Sequence, residues 1–558
     1  MFIKLEKSTF LIIDVLKILF FVSENGVLLV QTILITMAGV TDIGAGQTYS
    51  TPIGLLYVFN LIVGTGALAL PKAFQTAGYA LSIILLGISA LISFICATFI
   101  IEAMSVSNAL ISKSGKSKKF QNQNNTTTNL EGDNSNSQNE MFSYNIVEKV
   151  EVSEMSNLIK NRFGVFFCYL SLTIYLFGDL AIYSTTVPKS LMNIVCGSVN
   201  TTIVTSVDSP CHNHWSPFFT RFVVYRICVL LFISFCIPMI IIGITKTKYI
   251  QLSTTISRWT AFSLMIILAS IQLGKEGAQG KPPAFEWNNF GNLFGVSVYS
   301  FMCHHSIPSL VTPMKNKSNL YRNLLIIYII VLGFYVTLST TGAFAFEHAQ
   351  DIYTLNFLHD SNNTAFYKII DYFLALFPVF TLTTNYPIVA ITLINNLRVL
   401  SKMVAVQGQT GKHFRLSSNN DIETERLLSD SDNEESDREE RTGNAGTRTV
   451  NRNGENKFFS NIFIPIVAVA LPTFLSLSTE NVLFLACITG SYPGVGVQFI
   501  IPCLVVIGAR ATAKKQLSED VKNKFASPFQ HSFWPYVVFV WSAFALVNVT
   551  INLLNKIV

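Results

Sequence analysis

The sequence predicts an all-α polytopic membrane protein, built as an inverted five-plus-five helix repeat with an eleventh helix added. Half of the 558 residues are hydrophobic and 13% are charged, too little charge to cover a soluble protein of this size. Several apolar runs approach or exceed the ~20 residues that cross a bilayer. One of them, over residues 57–79, is interrupted by Gly64-Thr65-Gly66. A spanning helix broken near its midpoint is typical of a transporter binding site.

The chain divides into an extension, residues 1–50, and one transmembrane domain, residues 51–558. The extension is expected to be cytosolic or interfacial; a twelfth span, or translation from Met37, are the alternatives. Loops 113–145 and 403–456 are polar and are expected to be disordered and cytosolic. The eleven predicted spans lie near residues 52–75, 79–104, 163–191, 221–243, 252–273, 291–313, 321–345, 366–396, 459–478, 482–508 and 533–555.

Charge in the loops predicts the orientation of the domain. Lys and Arg concentrate in the loops after even-numbered spans, whereas loop 192–220 has none, so even-numbered spans should end in the cytosol. Glycosylation sequons at Asn200 and Asn362 fall on the opposite side, where they would be modified. Cys196 and Cys211 share that side, and they would form a disulfide if it faces an oxidising lumen.

A substrate site is predicted where spans 1 and 6 are both broken. Cutting the first ten spans into halves pairs span 1 with span 6, which carries a polar stretch ending at Pro308. Amides freed at the start of a half-helix attract a carboxylate, and freed carbonyls attract a cation. An amino acid has both groups and is the predicted ligand; close packing of small residues is the alternative. The predicted substrate-binding residues are Gly64, Thr65, Gly66, Ser300 and Cys303.

Two coupling ions are compatible with the sequence. Asn60 lies one helical turn before Gly64, and with Thr383 and Thr384 of span 8 it offers oxygen ligands for Na⁺. These threonines would otherwise bond to their own helix. His304 and His305 have near-neutral titration that suits H⁺ coupling; a hydrogen-bonded pair that steadies the break is the alternative.

Lys72 in span 1 and Asp179 in span 3 are charged, and both fall in the non-cytosolic halves of their predicted spans. An isolated charge at the bilayer centre costs roughly 2.5–3.5 kcal/mol on insertion scales. An ion pair between these two residues is therefore expected. It would be a structural contact between the spans; part of a proton relay is the alternative.

The acidic loop contains a candidate sorting signal. Glu423, Leu427 and Leu428 have the acidic-x-x-x-Leu-Leu spacing of endosomal and lysosomal signals, for which a sorting adaptor is the partner; a chance match in an acidic loop is the alternative. The membrane itself would be endosomal, lysosomal or plasma membrane. The nine cysteines lack metal-site spacing, and no assembled nucleophile appears, so we expect no metal, no cofactor other than a coupling ion, no nucleic-acid partner and no enzyme activity.

The motif in span 1, FNLIVGTGALALPKAF, resembles the Asn-x-x-x-Gly-[Ser/Thr]-Gly motif of the amino acid/auxin permease family. Span 10, ITGSYPGVGVQFIIP, is similar to the glycine-rich segment of that family, where a kink or close helix approach is expected. Blocks such as YLFGDLAIY and FGVSVYSFMCHHSIPSLVTP resemble, more narrowly, the transmembrane protein 104 family. The resemblance implies a site between helices 1, 3, 6 and 8, with Asn60 and Thr383 at a Na⁺ site in sodium-coupled relatives.

Two functions follow as hypotheses. The first is secondary active transport of an amino acid by alternating access, driven by H⁺ or Na⁺. The second is a receptor on an endolysosomal membrane that senses an amino acid with little transport.

Overall fold

The structure is a computed structural model. It describes residues 49–124, 142–159, 162–197, 209–211, 218–242, 248–358, 365–409, 462–517 and 521–557. The predicted sequons at Asn200 and Asn362, the predicted sorting signal at Glu423, Leu427 and Leu428, and residues 1–48 lie outside these ranges.

The helices follow the predicted apolar segments. Three predicted spans, the first, the sixth and the tenth, each contain two of the helices. The bounds are α1 Thr51–Ile62, α2 Gly66–Ala77, α3 Tyr79–Asn124, α4 Val152–Met155, α5 Arg162–Cys196, α6 Arg221–Ile242, α7 Lys248–Glu276, α8 Phe290–Ser300, α9 Ile307–Val311, α10 Leu320–Ala345, α11 Ala365–Gln409, α12 Ile464–Ser478, α13 Val482–Thr489, α14 Ile501–Gln516 and α15 Phe533–Ile557.

The prediction of an all-α polytopic membrane protein is confirmed. Among the described residues, eight unbroken helical segments are long and apolar enough to cross a membrane, and α1 with α2, bent by 50°, makes a ninth. The two remaining predicted spans are also helical. However, α8 and α9 are separate short helices, and α12 has 15 residues.

The described residues include the edges of the two polar loops, 113–145 and 403–456. Helix α3 continues to Asn124 and α11 to Gln409. Residues 142–145 are described as well, with Phe142 and Tyr144 buried. Lys, Ser and Gln continue a helix at little cost once it is nucleated, because each further residue adds a hydrogen bond. The rest of both loops lies outside the described residues.

The predicted close approach in span 10 is confirmed. Between α13 and α14 the chain forms two π-helical turns, Gly490–Gly494 and Gly496–Ile500. A Cβ on Gly490 would lie 1.9 Å from the carbonyl oxygen of Gly295 in α8. Glycine is therefore required where span 10 crosses span 6.

One end of the bundle is held by an ion pair. We call it the basic end, since Lys113, Lys514 and Lys515 lie there. Arg510 of α14 donates to both carboxylate oxygens of Glu102 in α3, at 2.9 and 2.8 Å. This bidentate geometry fixes α3 against α14.

Residues 142–159, the clamp segment, cross the basic end before α5 begins. The Asn108 side chain of α3 donates to the Glu148 carbonyl at 3.1 Å and accepts from the Glu148 amide at 2.8 Å. Leu158 packs against Gly508 of α14. The clamp segment therefore joins α3, α5 and α14.

At the opposite end, Cys196 and Cys211 form a disulfide, so we call this the disulfide end. Lys189 of α5 and Asp351 are also paired there, with Nζ 2.9 Å from Oδ2. The Asp351 carboxylate also accepts a hydrogen bond of 3.0 Å from the Val482 amide at the start of α13.

Candidate functional site

The break in span 1 lies between Ile62, where α1 ends, and Gly66, where α2 begins. The space beside Gly64 is open, because a Cβ placed there would meet no atom closer than 3.9 Å. Thr65 directly precedes α2, and the amides of Ala67 and Leu68 in its first turn donate to the carbonyls of Gly64 and Thr65, at 3.2 and 3.1 Å. The break thus places the positive end of the α2 dipole beside the open space at Gly64.

The break in span 6 lies between Ser300 and Ile307, with a 3₁₀ turn over His304–Ser306. Pro308 lies in the first turn of α9, where its missing amide proton costs no hydrogen bond. The predicted interruption of both spans is therefore present.

Tyr335 of α10 joins the two breaks. Its hydroxyl lies 2.8 Å from the carbonyl oxygen of Ile62 and 2.9 Å from that of Ser300. A hydroxyl has one proton to donate, so the two freed carbonyls share it. The broken ends of spans 1 and 6 therefore face each other across one phenol oxygen.

Gly66 and Ser300 are in direct contact. A Cβ on Gly66 would lie 2.7 Å from the Cα and 2.9 Å from the backbone nitrogen of Ser300. The Ser300 hydroxyl donates to its own helix, at the carbonyl of Val296. These two predicted substrate residues are thus packed together, as in the small-residue alternative, and Gly64 is the residue that faces open space.

Asp179, Tyr299 and Thr65 form a hydrogen-bonded chain across spans 3, 6 and 1. The Tyr299 hydroxyl donates to Asp179 Oδ1 at 2.5 Å and lies 2.9 Å from Thr65 Oγ1. Tyr183 is a second hydrogen-bond partner of Asp179. A buried carboxyl is in this way connected to the residue that starts α2.

The expected ion pair between Lys72 and Asp179 is wrong. Asp179 has tyrosine partners, and Lys72 interacts electrostatically with Asp351 and Lys189 near the disulfide end. The physical reason is that the hydroxyl of Tyr299 reaches the carboxyl from the facing helix, while Lys72 is attracted by Asp351 and repelled by Lys189 near the disulfide end.

The predicted cation ligands have other partners. The side-chain amide of Asn60 donates to the Thr255 hydroxyl of α7 at 2.9 Å. The backbone carbonyl oxygen of Asn60 accepts a hydrogen bond from the Arg258 guanidinium. Thr383 donates to the Val379 carbonyl and Thr384 to the Thr381 carbonyl, so both hydroxyls bond within their own helix. The Arg258 guanidinium thus lies at the backbone oxygen of Asn60, whereas the side-chain oxygen of Asn60 has no hydrogen-bond partner within the described ranges.

The two histidines have different surroundings. His304 is fully buried, and its Nε2 lies 2.9 Å from the Ser93 carbonyl of α3. The His305 ring packs 5.7 Å from that of Tyr175, centroid to centroid, and it interacts electrostatically with Glu151 of the clamp segment. His304 therefore ties the break to α3, whereas His305 packs against Tyr175 of α5. Cys303 contacts the Tyr328 hydroxyl at 3.3 Å.

Several polar atoms around the breaks are buried without a hydrogen-bond partner within the described ranges. They are Asn60 Oδ1, His304 Nδ1, His305 Nδ1 and Ser297 Oγ. Buried polar atoms are nearly always satisfied, by protein or by another molecule. Atoms of this kind are suited to bond ordered water.

Sequence reasoning missed Tyr299, Tyr335 and Arg258. Arg258 carried a usable signal, since an arginine inside a predicted span marks a functional site by default. The two tyrosines carried none, because an apolar helix often contains tyrosine and its partner belongs to another helix.

Comparison with known proteins gives a consistent result. A family model described as "Transmembrane amino acid transporter protein" matches residues 47–548. A protein named "Transmembrane protein 104 homolog" from Caenorhabditis briggsae is 51% identical over 92% of this chain and 98% of its own length. The homolog from Drosophila melanogaster is 36% identical over 92% and 98%. "Transmembrane protein 104" from Homo sapiens is 34% identical over 91% and 97%.

Proposed function

This chain belongs to the transmembrane protein 104 family, within the family of transmembrane amino acid transporter proteins, and we propose that it is a secondary active transporter of amino acids. The family match supports amino acid transport and a role other than enzyme catalysis. Alternating access, the coupling ion and the residues involved are the finer parts of the proposal.

The opposed breaks are the observation that carries the proposal. The substrate carboxylate would bind at the start of α2 beside Gly64 and Thr65, where helix-start amides carry partial positive charge. The substrate ammonium would face the carbonyls of Ile62 and Ser300, which share one proton from Tyr335. Each carbonyl oxygen has a second lone pair to offer. An amino acid thus satisfies both breaks with its invariant groups.

Alternating access follows if the first ten spans form two inverted halves. Eleven spans, with α8 and α9 as the sixth and α12 as the ninth, would complete that arrangement. Spans 1 and 6 would then move relative to spans 3 and 8 around the fixed site. We further propose that the basic end is cytosolic, in accord with loop charge. The disulfide end would then face an oxidising lumen or the exterior, where Asn200 and Asn362 would be glycosylated.

The surroundings of Asn60 favour H⁺ over Na⁺ as the coupling ion. The Arg258 guanidinium donates to the Asn60 carbonyl, and a second cation at the same oxygen would be repelled. The threonines of span 8 are bonded within their helix. Uptake should therefore respond to a proton gradient and not to Na⁺.

Reconstitution tests the function. Purified protein in liposomes is offered a panel of labelled amino acids under an imposed pH gradient, a Na⁺ gradient or neither. We expect uptake of at least one amino acid above that of empty liposomes, driven by the pH gradient. The matched control is Gly64→Leu, which fills the open space and should abolish uptake. Absence of both binding and uptake for the wild type would refute the proposal.

A receptor is the second candidate, and the clamp segment is the observation that favours it. Because residues 142–159 are anchored to α3 and α14, they would slow opening at the basic end. Saturable binding without uptake in the same liposomes would support the receptor. A sorting adaptor on Glu423, Leu427 and Leu428 would place either protein in endosomes or lysosomes.

A further inference from the structure

Asp179 lies on α5, with 8% of its surface exposed. Among the described residues no ion pair includes it, and its partners are the hydroxyls of Tyr299 and Tyr183. An unpaired carboxylate at membrane depth is costly and marks a functional position by default. Nothing in the proposed substrate contacts uses this carboxyl directly.

The carboxyl is connected to the break in span 1 through a single intermediate. Tyr299 Oη is 2.5 Å from Asp179 Oδ1 and 2.9 Å from Thr65 Oγ1. Each of these two hydroxyls has one proton. The protonation state of Asp179, at one end of the chain, therefore sets the direction in which every hydrogen bond of the chain is donated.

When Asp179 is ionised it can only accept, so Tyr299 donates to it and Thr65 must donate to Tyr299. When Asp179 binds a proton, its O–H donates to Tyr299, and the Tyr299 proton turns to Thr65. The Thr65 hydroxyl then points its own proton toward the open space beside Gly64, where it can be donated to a ligand. No bond other than O–H is made or broken, and one proton is added in all.

The protonated chain suits a carboxylate ligand in two ways. Thr65 becomes a donor at the place where the helix-start amides already attract an anion. The negative charge of Asp179, which would repel a second carboxylate, is removed at the same time. Proton and substrate should consequently bind with positive coupling, which is reciprocal by thermodynamic necessity.

The other titratable groups near Asp179 do not replace it. In the described part of the chain, no charged side chain of α6, α11 or α12 pairs with it, and Thr489 of α13 packs at neighbouring Gly178. The groups that surround it are Tyr175 and Tyr183 of α5, Tyr299 of α8, Cys303 and His305 next to Tyr175, and Arg258 of α7 next to Tyr183.

We propose that Asp179 is the residue that binds the coupling proton, and that the Tyr299–Thr65 chain transmits its protonation to the carboxylate of the substrate. This inference rests on the proposed transport of an amino acid. It adds the proton-binding residue and predicts that substrate and H⁺ travel in the same direction.

The test measures substrate dissociation constants from pH 5 to pH 9 in detergent, together with uptake and H⁺ movement in liposomes. For the wild type, affinity should fall by up to about tenfold per pH unit once Asp179 ionises, since one proton is linked to binding. Asp179→Asn supplies a permanent neutral donor. Its affinity should be independent of pH, its exchange of internal for external substrate should persist, and a pH gradient should no longer drive uptake.

Tyr299→Phe is the second variant, which keeps the carboxyl and cuts the chain; it should flatten the pH dependence even if Asp179→Asn is unstable. His304→Gln and His305→Gln are controls that should retain it. An unchanged pH profile in Asp179→Asn or Tyr299→Phe, or a flat profile in either histidine variant, would overturn the inference while leaving transport intact. A wild type that neither binds nor moves an amino acid would overturn both proposals.

Discussion

The two glycines of the span 1 break, which lie on either side of Thr65, offer a matched pair of substitutions, Gly66→Ala and Gly64→Ala. A Cβ on Gly66 would lie 2.7 Å from the Cα of Ser300, and both backbones are helical there. Reaching a tolerable 3.4 Å requires α2 and α8 to separate by about 0.7 Å, the difference between those distances. Forcing an extra carbon into a well-packed contact costs about 1–3 kcal/mol.

Gly64→Ala should behave in the opposite way. Its added methyl meets no atom closer than 3.9 Å, and Gly64 is not among the glycines with positive φ. Stability should therefore change by no more than about 0.5 kcal/mol, while substrate affinity falls because the methyl enters the proposed ligand space.

The assay combines thermal unfolding in detergent without substrate and substrate binding at one temperature. Gly66→Ala should lower Tm, and Gly64→Ala should lower affinity at unchanged Tm. The reasoning is refuted if Gly64→Ala binds substrate as the wild type does, or if Gly66→Ala is fully stable.

Three further substitutions test the ends of the bundle. Glu102→Gln leaves Arg510 without its carboxylate and should reduce stability by about 3 kcal/mol, as for other disrupted buried pairs; an unchanged Tm would contradict this. Asn108→Ala removes the anchor of Glu148 and should speed protease cleavage within residues 142–159, a prediction that fails if cleavage rates match the wild type. Cys196→Ser opens a disulfide with a sequence separation of 15, so Tm should fall by an amount equivalent to about 3 kcal/mol. Reducing agent should produce the same fall in the wild type and none in the variant.

The position of both breaks could be predicted from sequence because glycine, proline and polar residues at membrane depth are costly unless they serve a purpose. The partners could not be predicted in the same way. Asp179 was expected to meet Lys72 because both are isolated charges, yet a hydroxyl from a facing helix satisfies the carboxyl instead. Which side chains meet depends on how helices are rotated about their axes. A single sequence does not determine that rotation to within one residue.

Gly64 and Gly66 illustrate the same limit within one motif. The sequence alone does not distinguish these two glycines, but in the structure Gly66 contacts span 6 and Gly64 faces open space. Arg258, by contrast, could have been identified from the sequence, because it is a charged residue within a predicted span.

The most direct test of the central claim is a density map of the protein in lipid nanodiscs with a saturating concentration of the amino acid that it takes up. The account predicts density beside Gly64, with its carboxylate at the start of α2 and its ammonium toward the carbonyls of Ile62 and Ser300. Substrate density elsewhere, or continuous helices through spans 1 and 6 with the intervening space filled by side chains, would contradict it.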